Sequence, residues 1–201
     1  MSVASGTLTL GALTGLTVTA GANGTSTVTV QGTLADINAA LQGLTYQGNL
    51  NFNGGDSLSI VTSDLGNSGS GGALMDSDSV VITVNAVNDA PVNAVPGGQA
   101  VIEDQTLVFS TGNGNAISIS DVDAASSTVQ VTLSVASGTL MLGSTAGVSV
   151  TGGANGSSTV TIQGSQSNIN AALQGLTYQG TFNFNGGDSL SIVTSDLGNT
   201  G

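Results

Sequence analysis

The chain has 201 residues, with eleven Asp, one Glu and no Lys, Arg or His, for a formal charge of −12. Nucleic acid and anionic membrane surfaces are excluded as partners, because neutralising phosphate needs Lys or Arg. Cysteine is absent too, so disulfides, thiolate metal sites and the Ser-His-Asp, Ser-Lys and Cys-His catalytic sets are all out of reach.

Read from its start, the chain repeats itself. "SVASGTLTLGALTGLTVTAGANGTSTVTVQG" from Ser2 returns as "SVASGTLMLGSTAGVSVTGGANGSSTVTIQG" from Ser134, and the offset of 132 holds without a gap from 2–69 to 134–201. About three quarters of those positions are identical, which marks an array of related structural units. "GANG" at 21–24 reads as a turn. "TLADINAALQGL" (33–44) is the one helical pattern, with Thr33 as N-cap and Asp36 at the capping-box spacing. Leu34, Ile37, Leu41 and Leu44 line one face, and Gly43 is placed to end the helix. Ser165, Ile169, Leu173 and Leu176 repeat the pattern, with Asn168 in place of Asp36; that exchange suits a cap and not a catalytic acid. Tyr46 and Tyr178, directly after each helix, read as core or corner residues.

"FNGGD" (52–56) is a hairpin turn, and "SVVITVNAV" (79–87) alternates apolar with polar residues as a half-buried strand does. "GNGN" (112–115) is another turn. "TVQVTLSV" (128–135), "STVTIQG" (158–164) and "SLSIVTSD" (189–196) alternate in the same way. Many short strands with one brief helix per repeat predict an all-β protein built as a β-sandwich. Two carboxylates could in principle hydrolyse a glycoside, but Trp is absent and the Tyr residues recur in each repeat as structural positions do, so no enzyme is expected.

"SVVITVNAVNDAPV" (79–92) resembles the last strand and Asn-Asp-x-Pro joint of a cadherin repeat. "SIVTSDLGN" (59–67 and 191–199) is similar to the penultimate cadherin strand, and "DVD" (121–123) resembles the acid loop after the joint. The chain therefore resembles the bacterial cadherin-like tandem repeats of giant surface adhesins; "ADINAAL", "LTY" and "GGDSL" are also similar to proteoglycan-type repeats. The resemblance implies tandem Greek-key (cadherin/Ig-like) sandwiches. Residues 1–87 would be a partial repeat lacking its first strands, 88–92 a calcium-binding linker, and 93–201 a repeat lacking its last strand. It also implies that Asp56, Asn88, Asp89, Asp121, Asp123 and Asp196 converge at the joint, while Glu103 and Asp188 serve the next joint downstream. Oxygen-only ligands without His or Cys suit Ca²⁺ better than a transition metal.

The expected function is then a calcium-stiffened extension repeat of a large extracellular bacterial adhesin or matrix protein, partnered by its neighbouring repeats. A module binding polysaccharide or a cell-surface ligand and a self-associating surface-layer or fibre protein are the alternatives. Open strand edges in both truncated units predict a homo-oligomer formed by strand exchange. No membrane insertion is expected. Asp64, Asp76 and Asp78 read as exposed loop acids.

Overall fold

The computed structural model describes residues 1–66 and 70–199, and the repeat ends at Gly69 and Gly201 lie outside them. Among the described residues the chain is mostly strand with two short α-helices, and no helix is long and apolar enough to cross a membrane. It divides into two compact units, Met1–Ala86 and Val87–Gly201.

In the first unit three antiparallel pairs form: β1 (Gly6–Thr9) with β4 (Thr45–Gly48), β2 (Thr17–Gly21) with β3 (Val28–Gln31), and β5 (Gly54–Ser63) with β6 (Met75–Val84). Helix α1 (Leu34–Leu41) joins β3 to β4. The second unit opens with β7 (Val92–Ala94), β8 (Thr106–Phe109), a 3-10 turn at Thr111–Asn113 and β9 (Ser118–Ser120). It continues through β10 (Thr128–Ser134), β11 (Gly138–Met141), β12 (Ser149–Gly153), β13 (Thr159–Ser165), α2 (Gln166–Leu173), β14 (Leu176–Gly180) and β15 (Ser191–Ser195). Its strands assemble in the orders β12-β13-β10-β15 and β11-β14-β8, with β7 and β9 paired apart.

The period-two pattern explains the core of the second unit. Val129, Val131 and Leu133 of β10 and Val160 and Ile162 of β13 are fully buried, while Gln130 and Thr132 between them are only half-buried. These side chains pack with Leu140, Leu176 and Phe109 of the three-stranded sheet and with Ile169, Ala172 and Leu173 of α2 in one continuous cluster. Among the described residues the first unit has no strand equivalent to β8, β9 or β10, and only the bridges of Ser2 to Thr27 and Ser59 correspond to the end of β10. Its buried residues accordingly fall into two small groups, Val3, Leu8 and Leu58, and Leu10, Val28 and Ala40. Ile37, Leu41 and Leu44 are half-exposed there, whereas their equivalents Ile169, Leu173 and Leu176 are buried.

Three local expectations are corrected. Leu34 does not join the apolar face of α1: it is 73 % exposed in the first turn. The equivalent Gln166 is polar, and its side-chain carbonyl accepts from the Asp121 N–H at 2.8 Å. Gly43 does not end the helix through a left-handed conformation, because the cap is Gln42 in a right-handed one. Gly43 is needed because its Cα packs on Gly11, where a Cβ would lie 2.7 Å from the Gly11 Cα. Finally, β6 starts at Met75 and stops at Val84, since its ladder with β5 sets both ends. The capping itself takes the expected form. Thr33 Oγ1 accepts from the Asp36 N–H at 3.2 Å, and Ser165 Oγ accepts from that of Asn168 at 3.4 Å.

Candidate functional site

Five of the eight candidate ligands lie in the second unit and are joined in two hydrogen-bonded sets, Asp121 and Asp123 with the Asp89 N–H, and Asn88 with Asp196. Asp121 follows β9 and folds as an Asx turn, its Oδ1 accepting from the N–H groups of Asp123 at 2.8 Å and Ala124 at 3.0 Å. That turn points Asp123, only 9 % exposed, back to the entering chain. There its Oδ2 accepts from the Asp89 N–H at 2.5 Å. One residue earlier, the Asn88 amide donates to Asp196 Oδ2 at 2.5 Å. Asp196 Oδ1 also accepts from the Gly198 N–H at 3.0 Å. The Gly198 N–H and the Asn88 amide, against a smaller opposing effect of burial, hold the Asp196 carboxyl below the ordinary range.

One oxygen in this cluster is unmatched. Asp121 Oδ2 is buried and has no hydrogen-bond partner. A buried carboxylate oxygen without a donor is costly, and with no Lys, Arg or His in the sequence no basic side chain can relieve it. The donor set is therefore oxygen-only and acid-rich. Among the described residues, however, no three acidic side chains converge closely enough to hold a metal ion as they stand.

Asp56 and Asp188 sit elsewhere, in a construction repeated once per unit. Asp56, 7 % exposed, accepts from the N–H groups of Ala4 at 3.0 Å, Ser5 at 2.9 Å and Ser57 at 2.7 Å. The Tyr46 hydroxyl donates to it at 3.0 Å. Asp188 accepts from Ala136 at 3.1 Å, Ser137 at 2.8 Å, Ser189 at 2.8 Å and the Tyr178 hydroxyl at 3.0 Å. The carboxylate thus pins the turn before β1 or β11 to the residues that open β5 or precede β15, and the tyrosine locks it from β4 or β14. At Gly138 the ring of Tyr178 comes so close that a Cβ would lie 2.7 Å from its edge. Asp188 and Glu103 border the same cavity of about 690 Å³ in the second unit, with Asp104 beside them. The Asn185 amide approaches Glu103 Oε2 at 3.5 Å and the Asn183 N–H donates to Asp104 at 2.9 Å. The structure does not bring Asp188 or Glu103 into the Asp121 cluster, and Asp56 belongs to the other unit.

This clamp was not anticipated from the sequence. The available signal was the Tyr-to-Asp spacing of ten residues, kept in both copies. It has a pH signature. Burial opposes ionisation of Asp56 and Asp188, but the donated N–H bonds and the tyrosine outweigh it and lower both carboxyls below 3.8. Burial, then the bond to the carboxylate and its charge, raise Tyr46 and Tyr178 above 10.0. A lowered acid stabilises above its unfolded pKa and loses that contribution as pH falls through the folded one; a raised phenol stabilises below about 10 and loses it as pH rises further. The two tyrosines are the only ones in the chain. Absorbance titration of tyrosinate should therefore give native midpoints above 10.0, and Asp188→Asn should bring one of them down. A native midpoint at or below 10.0 would contradict the clamp.

No curated protein and no solved structure matches the chain. A family model does, described as Protein GAMETE EXPRESSED 2 domain, over residues 4–70 and 107–200. This overturns the resemblance to bacterial cadherin-like repeats, and with it the calcium-stiffened adhesin repeat and the cell-adhesion and biofilm roles. The misleading features were generic. An Asx residue ahead of Pro and an Asp-x-Asp loop are turn chemistry that many β proteins share, and here Asp121 does serve as an Asx turn. The two matched segments take in both copies of the repeat and most of the chain, which belongs to the Protein GAMETE EXPRESSED 2 domain family.

Proposed function

We propose that the chain is a non-catalytic structural β-module that works outside the cell and takes up a hard divalent cation, Ca²⁺, at the Asp121 cluster. The observation that carries this reading is the buried, unpartnered Asp121 Oδ2 in the loop that also carries Asp123. Asp121, Asp123 and Asp196, with Asn88 and Asp89, would hold the ion. The cation would supply the positive charge that the sequence lacks; the protein's part is to bring the oxygens together by giving up the Asn88–Asp196 contact. A site that must first reorganise belongs with the weaker calcium modules, about 10⁻⁴–10⁻³ M, which fill where calcium is abundant, as it is outside cells.

The same proposal gives the fold its finer form, a repeated Greek-key β-sandwich. In the second unit the chain crosses from the four-stranded to the three-stranded sheet and back, β10 to β11 to β12, with every ladder antiparallel. The absence of His, Lys, Arg and Cys supports a non-enzymatic role. Neighbouring units of the same protein are the partners this reading proposes.

Thermal unfolding tests the cation. At the one- to tenfold excess that millimolar calcium has over a dissociation constant of about 10⁻⁴–10⁻³ M, a ligand bound only by the folded state stabilises it by about 0.4–1.4 kcal/mol. Millimolar calcium should therefore raise the melting temperature of the second unit relative to EDTA. Asp121→Asn should abolish the rise, and Asp36→Ala should preserve it. Superimposable curves in calcium and EDTA would end the proposal.

A further inference from the structure

Strand β9 runs into the Asp121 loop and is held from its two sides by different means. On one side it pairs with β7, from Val92↔Ser120 to Ala94↔Ser118. On the other, two side chains of α2 take a strand's place. Asn170 Oδ1 accepts from the Ile119 N–H at 2.8 Å, and its amide donates to the Ile119 carbonyl at 2.9 Å. One helical turn earlier, Gln166 Oε1 accepts from the Asp121 N–H at 2.8 Å. The two spacings match. Residues four apart share one helix face, and residues two apart in an extended chain turn their N–H and C=O groups to the same side. Helix α2 is itself fixed, since Ile169, Ala172 and Leu173 are fully buried in the core of the second unit.

We infer that Gln166 and Asn170 are positioning residues, which hold the Asp121 loop in the shape that the cation site needs. The Asp121 N–H is fastened to Gln166, and its Oδ1 is taken by the N–H groups of Asp123 and Ala124. Main chain and carboxylate are thereby fixed together, and the unmatched Oδ2 is held in place before any ion arrives. Only the Asn88–Asp196 contact has to change when the ion enters. Groups that orient a metal's ligands from behind are worth about 10–100-fold in affinity. The duplication shows what the helix can do without. At the equivalent positions α1 carries Leu34 and Asn38, so the same helix forms with leucine in place of Gln166, but leucine has no oxygen to accept from a loop. The effect on calcium rests on the cation reading above, whereas the bracing of the loop does not.

The test compares the full chain with Gln166→Leu, Gln166→Glu and Asn170→Ala. A glutamate at 166 can still accept from the Asp121 N–H, so it is the conservative variant. In EDTA, amide exchange of Asp121 and Asp123 should quicken several-fold in Gln166→Leu and return towards wild type in Gln166→Glu. Asn170→Ala should quicken Ile119 in the same way, and Val131 in β10 should stay as protected as before in all three. In a calcium titration the dissociation constant of Gln166→Leu should rise about tenfold, and Gln166→Glu should restore it. Unaltered exchange at Asp121 in Gln166→Leu overturns the inference, whatever calcium does. Equal calcium affinity in Gln166→Leu and wild type overturns it as well. A wild-type chain that takes up no calcium, while Gln166→Leu still loosens the loop, refutes the cation reading and supports the bracing by α2.

Discussion

Leu140→Ala should destabilise the second unit by about 2–5 kcal/mol, the range for truncating a fully buried leucine. Leu140 is 0 % exposed. It lies in β11 opposite Tyr178, and its N–H donates to the Ser157 carbonyl at 2.9 Å. The buried cluster it belongs to draws on both sheets and α2, so little of it can move to fill the space its side chain leaves. The equivalent Leu8 in the first unit is also fully buried, but it belongs to a cluster of three buried residues ringed by half-exposed ones. Solvent and relaxation should soften the same truncation there. Urea unfolding, followed by amide exchange in β10 and in β1, measures each unit separately. A Leu8→Ala cost equal to or greater than that of Leu140→Ala would show that the first unit has a tighter core than its burial indicates.

Asp188→Ala should cost roughly 2 kcal/mol, because hydrogen bonds to a charged acceptor are worth more than neutral ones and their donors are left without it. Three N–H groups and the Tyr178 hydroxyl converge on this carboxylate, and alanine strands all four. For a unit of this size the melting temperature should fall by roughly 5–10 °C. Asp56→Ala should act in the same direction in the first unit. Asp76→Ala, on the exposed β6, should stay within about 0.5 kcal/mol, as surface substitutions do. The acid limb of stability offers a second readout. The Asp188 carboxyl is held below 3.8, so its contribution is complete above that value and fades as pH falls through its lower folded pKa. In Asp188→Ala this part of the acid-induced loss should vanish. An alanine variant with wild-type melting temperature and an unchanged acid limb would reduce the clamp to an incidental contact.

Much of the local architecture was legible in the residues. The alternation of Val129, Val131 and Leu133 placed β10 and its buried face, because a strand's side chains change sides at every residue. Thr33 and Ser165 announced the two helices through their hydroxyls, since an N-cap is satisfied within its own turn. The 132-residue repeat was visible as identity. The acid cluster was legible in part: Asn88, Asp89, Asp121, Asp123 and Asp196 are joined in two hydrogen-bonded sets, but Asp56 and Asp188 are spoken for within their own units. The family assignment read from the same acids was wrong, since Asx turns need an Asp whatever the protein does.

What the sequence determined by itself was thus everything set over a few bonds: strand alternation, helix caps, turns and the duplication. Tertiary structure alone decided which edges are paired and which side chains are covered. Leu34 was read as part of an apolar face and is exposed, because helical periodicity cannot tell where the neighbouring sheet begins. "GGDSLSIVTS" makes the same point most directly. These ten identical residues, at 54–63 and 186–195, form a ten-residue strand where β6 lies alongside and a five-residue strand where, among the described residues, only β10 is paired with it. A strand's hydrogen bonds are made to another segment, and no local sequence contains its partner.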